Sequence, residues 1–196
     1  MTQTTLTLEP VVSHEPLEID DQEYDAAVLA PIVERDGEDH LLFTRRSDDL
    51  GEHPGQMSFP GGGAEPVDET ILETALREAH EEIGLEPHEV EIVGRLDDIR
   101  TVSEYAVTPF VGHVPDREYE RDGYEVAEIV VLPLSGLLDP ANYEYEHRDH
   151  PYYGDMVIHY FHVDGYTVWG ATGRMLVQLL ELATDFDASE RVDRTE

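Results

Sequence analysis

The sequence predicts a mixed α/β (α+β) fold in which a mixed β-sheet lies between helices. Eight short stretches, at 26–33, 40–46, 56–59, 90–96, 106–114, 126–132, 156–163 and 166–169, are apolar or alternating in the manner of strands. Two longer stretches, 70–83 and 171–183, instead carry apolar residues at helical spacing. No repeat or linker divides the 196 residues, a length that suits one domain with a full core.

In chain order, residues 1–24 are acidic, rich in Thr and Glu, and interrupted by Pro10 and Pro16. That pattern predicts an extended arm or short edge strand, mobile at its start. The continuous apolar run at 26–33 predicts a buried strand, with Asp36-Gly37 turning it into its partner at 40–46. A polar loop then leads to the short strand at 56–59 and the run Phe59-Pro60-Gly61-Gly62-Gly63. In the helix at 70–83, Leu72, Ala75, Leu76, Ala79 and Ile83 form the buried stripe. Asp68 is the predicted N-cap and Gly84 the stop. Pro109 marks the strand at 106–114 as an edge or a bulge. Residues 143–153, with Tyr143, Tyr145, Tyr152 and Tyr153 among histidines, predict a surface loop held by aromatic packing. Asp164-Gly165 turns a last hairpin, Trp169 is expected in the core, and the tail from 185 reads as frayed.

The chemistry gathers between the glycines and the end of the first long helix. Glu78, Glu81 and Glu82 stand at i, i+3 and i+4, which places their carboxylates on one helical face. Unneutralised like charges at that spacing oppose a helix by about 0.2–0.5 kcal/mol per pair. A divalent cation reverses that sign, and carboxylate oxygens suit hard ions, so Mg²⁺ or Mn²⁺ is the expected cofactor. A solvated acidic face is the plainer reading of three glutamates, but it accounts for neither the glycine turn nor Arg77.

Gly63, Glu69, Arg77, Glu78, Glu81, Glu82 and Gly84 follow the spacing G-x5-E-x7-R-E-x2-E-E-x-G, closed by Leu85. This resembles the signature of the Nudix hydrolases, which cleave diphosphates linked to a second moiety. The resemblance implies an α/β/α sandwich and a metal site of Glu78, Glu81, Glu82 and a glycine carbonyl, Gly62 or Gly63, with the position of Phe59-Pro60 favouring Gly62. In it Glu78 and Glu81 are catalytic carboxylates and Arg77 orients one of them. Phe59, Pro60, Gly61, Gly63, Glu69 and Gly84 are the framework, Glu69 bracing the loop. Leu41-Leu42-Phe43-Thr44-Arg45-Arg46-Ser47, Gly55, Thr108-Pro109-Phe110-Val111-Gly112 and 169–174 are similar to segments of the coenzyme A pyrophosphatase subfamily. Arg45, Arg46 and His53 are therefore candidates for substrate contact, the arginines because a guanidinium matches phosphate oxygens bidentately. Gly51 stands where that subfamily has arginine, a departure that bears on coenzyme A recognition. Glu125 is a further candidate carboxylate for the site, against a default place at a strand edge.

Composition bounds the alternatives. The formal charge is −33, from 45 acidic and 12 basic residues, and every basic residue is arginine. Such a surface repels itself strongly at about 0.1 M salt and far less at about 1 M, which predicts a halophile's cytoplasmic protein. The same sign argues against a nucleic-acid partner. No apolar run nears the roughly 20 residues of a membrane span, and no cysteine is present for thiolate or disulfide chemistry. His147, His150, His159 and His162 lack a zinc-ligand spacing, and neither Ser47 nor Ser58 has a visible base partner. The expected partner is a small-molecule diphosphate, coenzyme A first. ADP-ribose, another nucleoside diphosphate derivative or a nucleoside triphosphate is the rival, and a homodimer is compatible with the sequence. A non-catalytic nucleotide-binding module is the rival of another class, and it leaves the carboxylate cluster without a purpose.

Overall fold

Alternation along one strand sorts the core into two layers. The computed structural model describes residues 4–48, 55–150, 154–190 and 192–193. Its elements run α1 (Glu9–Val12), β1 (Tyr24–Arg35), β2 (Glu38–Arg46), β3 (Met57–Ser58), β4 (Gly61–Gly63) and α2 (Ile71–Ile83). There follow β5 (Glu91–Arg95), β6 (Ile99–Arg100), β7 (Tyr105–His113), β8 (Val126–Pro133) and α3 (Leu134–Leu138). The remainder is β9 (Tyr143–His150), β10 (Gly154–Val163), β11 (Tyr166–Val168), α4 (Gly170–Ala183) and β12 (Val192–Asp193). On β1, Ala27, Leu29 and Val33 pack with Ala75, Ala79 and Ile83 of α2. Ala26, Ala30 and Ile32 turn the other way, into a cluster with Met175, Leu176, Leu179 and Leu180 of α4. The period of two along a strand dictates that division. The sheet therefore lies between helices, as the pattern predicts.

The main sheet has eight strands in the path β3-β2-β1-β7-β5, with β4 joined to β1, β6 to β7 and β8 to β2. β1 and β7 are parallel from Tyr24 opposite Tyr105 to Ile32 opposite His113, while the other pairings in this sheet are antiparallel. Both Asp-Gly turns have positive φ at each residue, 54° and 79° at Asp36-Gly37 and 52° and 85° at Asp164-Gly165. That backbone matches the twist of a two-residue hairpin.

Several expectations need correction. Pro109 lies on a central strand, not an edge. Its carbonyl accepts from the Leu96 N–H in the gap between β5 and β6, so its nitrogen faces a place where the ladder asks for no donor. Residues 143–150 form β9 of a second, four-stranded sheet ordered β11-β10-β9-β12, with Tyr143 buried. Tyr152 and Tyr153 lie outside the described residues. The N-terminal arm includes the helical turn α1 and is docked: Val11 is buried, and Thr7 donates to the Ala183 carbonyl. Phe186, in the stretch expected to fray, is buried edge-on against Tyr143. Trp169 is half-buried, stacked on Tyr160, and sits at the N-cap of α4.

Candidate active site

The N-terminus of α2 is set by Thr70. Its side chain accepts from the Glu73 N–H, and the Glu73 carboxylate accepts from the Thr70 N–H, a reciprocal cap. Asp68, the N-cap expected from sequence, is taken by a stronger partner. Arg77 reaches back from the second turn and donates Nε to Asp68 Oδ1 at 2.9 Å and Nη2 to Oδ2 at 3.1 Å. The Glu65 N–H and Thr74 Oγ1 also donate to Asp68 Oδ2. These donors hold the Asp68 carboxyl below the usual carboxylate range, the Arg77 hydrogen bonds first among them. At the other end, Gly84 closes α2 with φ of 64°, a left-handed residue that caps two carbonyls.

Arg77 is the joint between this helix and the glycine bend. Its Nη2 donates to the Gly63 carbonyl at 2.9 Å, while Nη1 donates to Glu78 at 2.9 Å and Glu81 at 3.2 Å. β4 lies antiparallel to β1, with Gly61 opposite Val28 and Gly63 opposite Ala26. The approach is tight at two of its glycines, against backbone at Gly61 and against a side-chain end at Gly62. A Cβ on Gly61 falls 2.3 Å from the Ala27 carbonyl oxygen, and one on Gly62 falls 2.6 Å from the Glu78 carboxyl carbon. Glu78 and Glu82 thus lean into the bend, and Glu82 accepts from the Gly61 N–H at 3.3 Å. Glu81 stands outermost, with 57% of its side chain exposed against 15% for Glu78.

The electrostatics of this corner are unfavourable for free carboxylates. Burial pushes the Glu82 carboxyl up to about 8, with the charges of Glu78, Glu125 and Asp122 adding to it. Glu78 is raised as well, again chiefly by burial, with Arg77 opposing and Glu81 and Glu125 reinforcing the shift. Among the described residues, no three His, Asp or Glu side chains converge closely enough to form a ready metal cage. Glu78 and Glu81 share the Nη1 of Arg77, while Glu82 is turned to the Gly61 N–H.

The structure brings Arg77, Glu78, Glu81, Glu82, Gly61, Gly62 and Gly63 together, on the closed framework of Phe59 and Pro60. The Pro60 carbonyl accepts from the Leu29 N–H, and Phe59 is stacked on Phe43 in the core. Glu69 is exposed, and among the described residues only its N–H is engaged, by Glu73; the bracing contacts belong to Asp68. Arg45, on β2, is paired with Glu128 at 3.3 Å and Asp48 at 3.4 Å. Arg46 sits at a register shift opposite Val126. His53 and Gly51 lie outside the described residues.

Sequence reasoning missed the role of Asp68 and the ring of Tyr105, which lies 3.6 Å from where Gly63 would carry a Cβ. It gave Glu125 only a secondary place. The Ser47 N–H donates to the Glu125 carbonyl, which ties that residue to the end of β2, and its charge reaches both Glu78 and Glu82.

None of the described helices is long and apolar enough to cross a membrane. Comparison with known proteins agrees with the architecture. A NUDIX domain profile matches residues 23–151. The chain is 38% identical over 160 residues to an uncharacterized Nudix hydrolase NudL of Enterobacter sp. (strain 638), covering 79% of this chain and 80% of that one. It is 35% identical over 175 residues to the corresponding NudL protein of Photorhabdus laumondii, covering 85% and 88%. Among solved structures, a MutT/nudix family protein from Enterococcus faecalis superposes with a TM-score of 0.55 at 10% identity, covering 85% of this chain and 64% of that one. That likeness is one of fold alone. With the profile spanning most of the chain and the glycine bend, Arg77 and the three glutamates in place, the chain belongs to the Nudix hydrolases, pyrophosphohydrolases that act on diphosphate substrates and generally use divalent cations.

Proposed function

We propose that the protein hydrolyses the diphosphate linkage of coenzyme A, giving 3′,5′-ADP and 4′-phosphopantetheine. The observation that carries the hydrolytic part is the Arg77 joint, where one guanidinium holds Gly63, Asp68, Glu78 and Glu81 at once. The similarity of residues 41–47, 55, 108–112 and 169–174 to the coenzyme A branch carries the choice of substrate.

The donor set fits a hard divalent cation. It is all oxygen, and burial and mutual repulsion hold Glu78 and Glu82 above the ordinary carboxylate range, a strain that added positive charge relieves. Glu78, Glu81, Glu82 and the Gly62 carbonyl would hold Mg²⁺ or Mn²⁺. When bound, the ion neutralises diphosphate charge and acidifies water. Arg77 keeps Glu78 and Glu81 in position through charge-assisted hydrogen bonds. As water attacks one phosphorus atom, its proton passes to a carboxylate oxygen of the box or of Glu125. Arg45 and Arg46 are the proposed phosphate contacts on β2; Arg45 would exchange Asp48 or Glu128 for substrate. The charge of −33 supports placing this chemistry in the molar-salt cytoplasm of a halophile.

A product assay in molar salt with Mg²⁺, against coenzyme A, ADP-ribose, dinucleoside polyphosphates and nucleoside triphosphates, tests the proposal. Appearance of 3′,5′-ADP from coenzyme A at the highest kcat/KM supports it. A higher value for any other substrate replaces coenzyme A, and ligand binding without turnover removes the enzymatic reading.

A further inference from the structure

A cavity of about 320 Å³ opens between the N-terminal arm, the β6–β7 connection, β10 and α4, lined by Ile19, Asp98, Arg100, Thr101, Met156 and Arg174. Its charges are unevenly satisfied. Asp98 is fully engaged, accepting from Arg95 at 2.8 Å, Thr108 at 2.9 Å and the Ile19 N–H at 3.0 Å. Arg100 is paired with Asp21 at 2.7 Å, an exposed contact that screening weakens. Arg174 makes no hydrogen bond or ion pair among the described residues. Arg174 is solvent-exposed where it lines the cavity, so its guanidinium is accessible to an incoming group. In a chain of 45 acidic residues, a guanidinium with no carboxylate beside it is open to an anion from outside the chain.

The cavity adjoins the diphosphate site. Thr101 Oγ1 accepts from the Tyr105 N–H at 3.2 Å, and the Tyr105 ring lies 3.6 Å from the Cβ position of Gly63, whose carbonyl Arg77 holds. One tyrosine thus separates the glycine bend from the cavity wall.

We propose that this cavity receives a second phosphate of the substrate, a phosphomonoester carried on the nucleoside away from the linkage that is cleaved. Arg174 is its principal contact and Arg100 the second. The proposal rests on the coenzyme A reading, because the adenosine 3′-phosphate of coenzyme A is such a group.

Two measurements test it, both at the salt concentration that keeps the protein folded. In the first, kcat/KM is compared for coenzyme A and 3′-dephospho-coenzyme A in the wild type, Arg174→Gln and Arg174→Lys. The wild type should prefer coenzyme A, and Arg174→Gln should shrink that preference by about tenfold or more, the scale of one hydrogen bond to a charged group. Arg174→Lys should restore part of it. Equal wild-type values for the two substrates, or an equal loss on both in the variant, overturn the proposal. The second measurement is calorimetric titration with adenosine 3′,5′-bisphosphate and adenosine 5′-monophosphate, which needs no turnover. Tighter binding of the bisphosphate that Arg174→Gln abolishes supports the subsite even if coenzyme A is not cleaved, in which case the substrate assignment alone has failed. Equal affinity for the two nucleotides, or a preference that the variant retains, overturns it.

Discussion

Arg77 and Asp68 lie nine positions apart and meet through paired hydrogen bonds of 2.9 and 3.1 Å, closing the segment between the glycine bend and α2 into a braced loop. Asp68→Asn keeps the shape but removes the charge that fixes the guanidinium. Turnover should fall by about tenfold or more, as positioning is lost, with a lower melting temperature. The Asp68 pKa is depressed in the fold, so its contribution is present above the ordinary carboxylate range and lost as pH falls below it. The variant should therefore close most of its stability gap with the wild type in acid. An unchanged kcat in Asp68→Asn counts against the brace.

Glu82→Gln should abolish turnover and yet stabilise the metal-free fold at pH 8. The Glu82 carboxyl is raised to about 8, so the folded state favours its protonated form. The stability this contributes is full below the ordinary pKa and is lost as pH rises toward 8. For a group this buried the loss is on the order of 3 kcal/mol. Urea titrations at pH 5 and pH 8 in chelator measure it: the wild type should weaken between the two and the variant should not. Equal slopes in both proteins refute the assignment.

Gly61→Ala and Gly62→Ala should separate fold from chemistry. A Cβ on Gly61 meets backbone of β1, which cannot yield without moving the strand, and a loss of about 3 kcal/mol is expected. On Gly62 it meets the flexible end of Glu78. Stability should then change by less than about 1 kcal/mol, while kcat falls because the carboxylate is displaced. Melting curves beside initial rates read both effects.

Acid should weaken the second sheet through His159. Burial pulls this histidine down to about 4, with Arg174 nearby adding to the shift, and its Nδ1 lies 2.7 Å from the Tyr143 hydroxyl. A depressed histidine stays neutral in the fold while the unfolded chain takes up a proton. Its contribution is therefore present above about 6.5 and declines toward pH 4. Discounted for partial exposure, the decline is on the order of 2 kcal/mol. Chemical denaturation across that window should show a shallower slope in His159→Gln.

Salt should decide whether the protein is folded at all. With a charge of −33, far-ultraviolet circular dichroism should show progressive folding as KCl rises from about 0.1 M, where the Debye length is about 10 Å, toward molar values. Full secondary structure and an unchanged melting temperature in dilute buffer exclude adaptation to high salt.

Most of the sandwich was legible because two patterns do different work. The unbroken apolar run of Ala26 to Val33 names a buried strand, and the helical stripe of Ala75, Ala79 and Ile83 names the face of α2 that meets the sheet. β9 carried an alternating strand signal, Tyr143-Glu144-Tyr145-Glu146, but its histidines and tyrosines read equally well as an aromatic loop. Asp68 was misassigned because capping preferences are local rules, and they cannot see a guanidinium that arrives from the second turn of the helix. The box residues were predictable from spacing, since one helix and one bend hold them all. The cavity was not: Ile19, Asp98, Met156 and Arg174 share no local pattern, and only the folded topology makes them neighbours.

The arm before β1 crosses Asp97 and Asp98, which hold the amides of Leu17 and Ile19. Because Ile19 is also a wall of the cavity, a ligand that settles there should stiffen the segment that encloses it. Occupancy then becomes visible far from any bond that breaks, as slowed deuterium uptake at those amides and delayed cutting of the arm by protease.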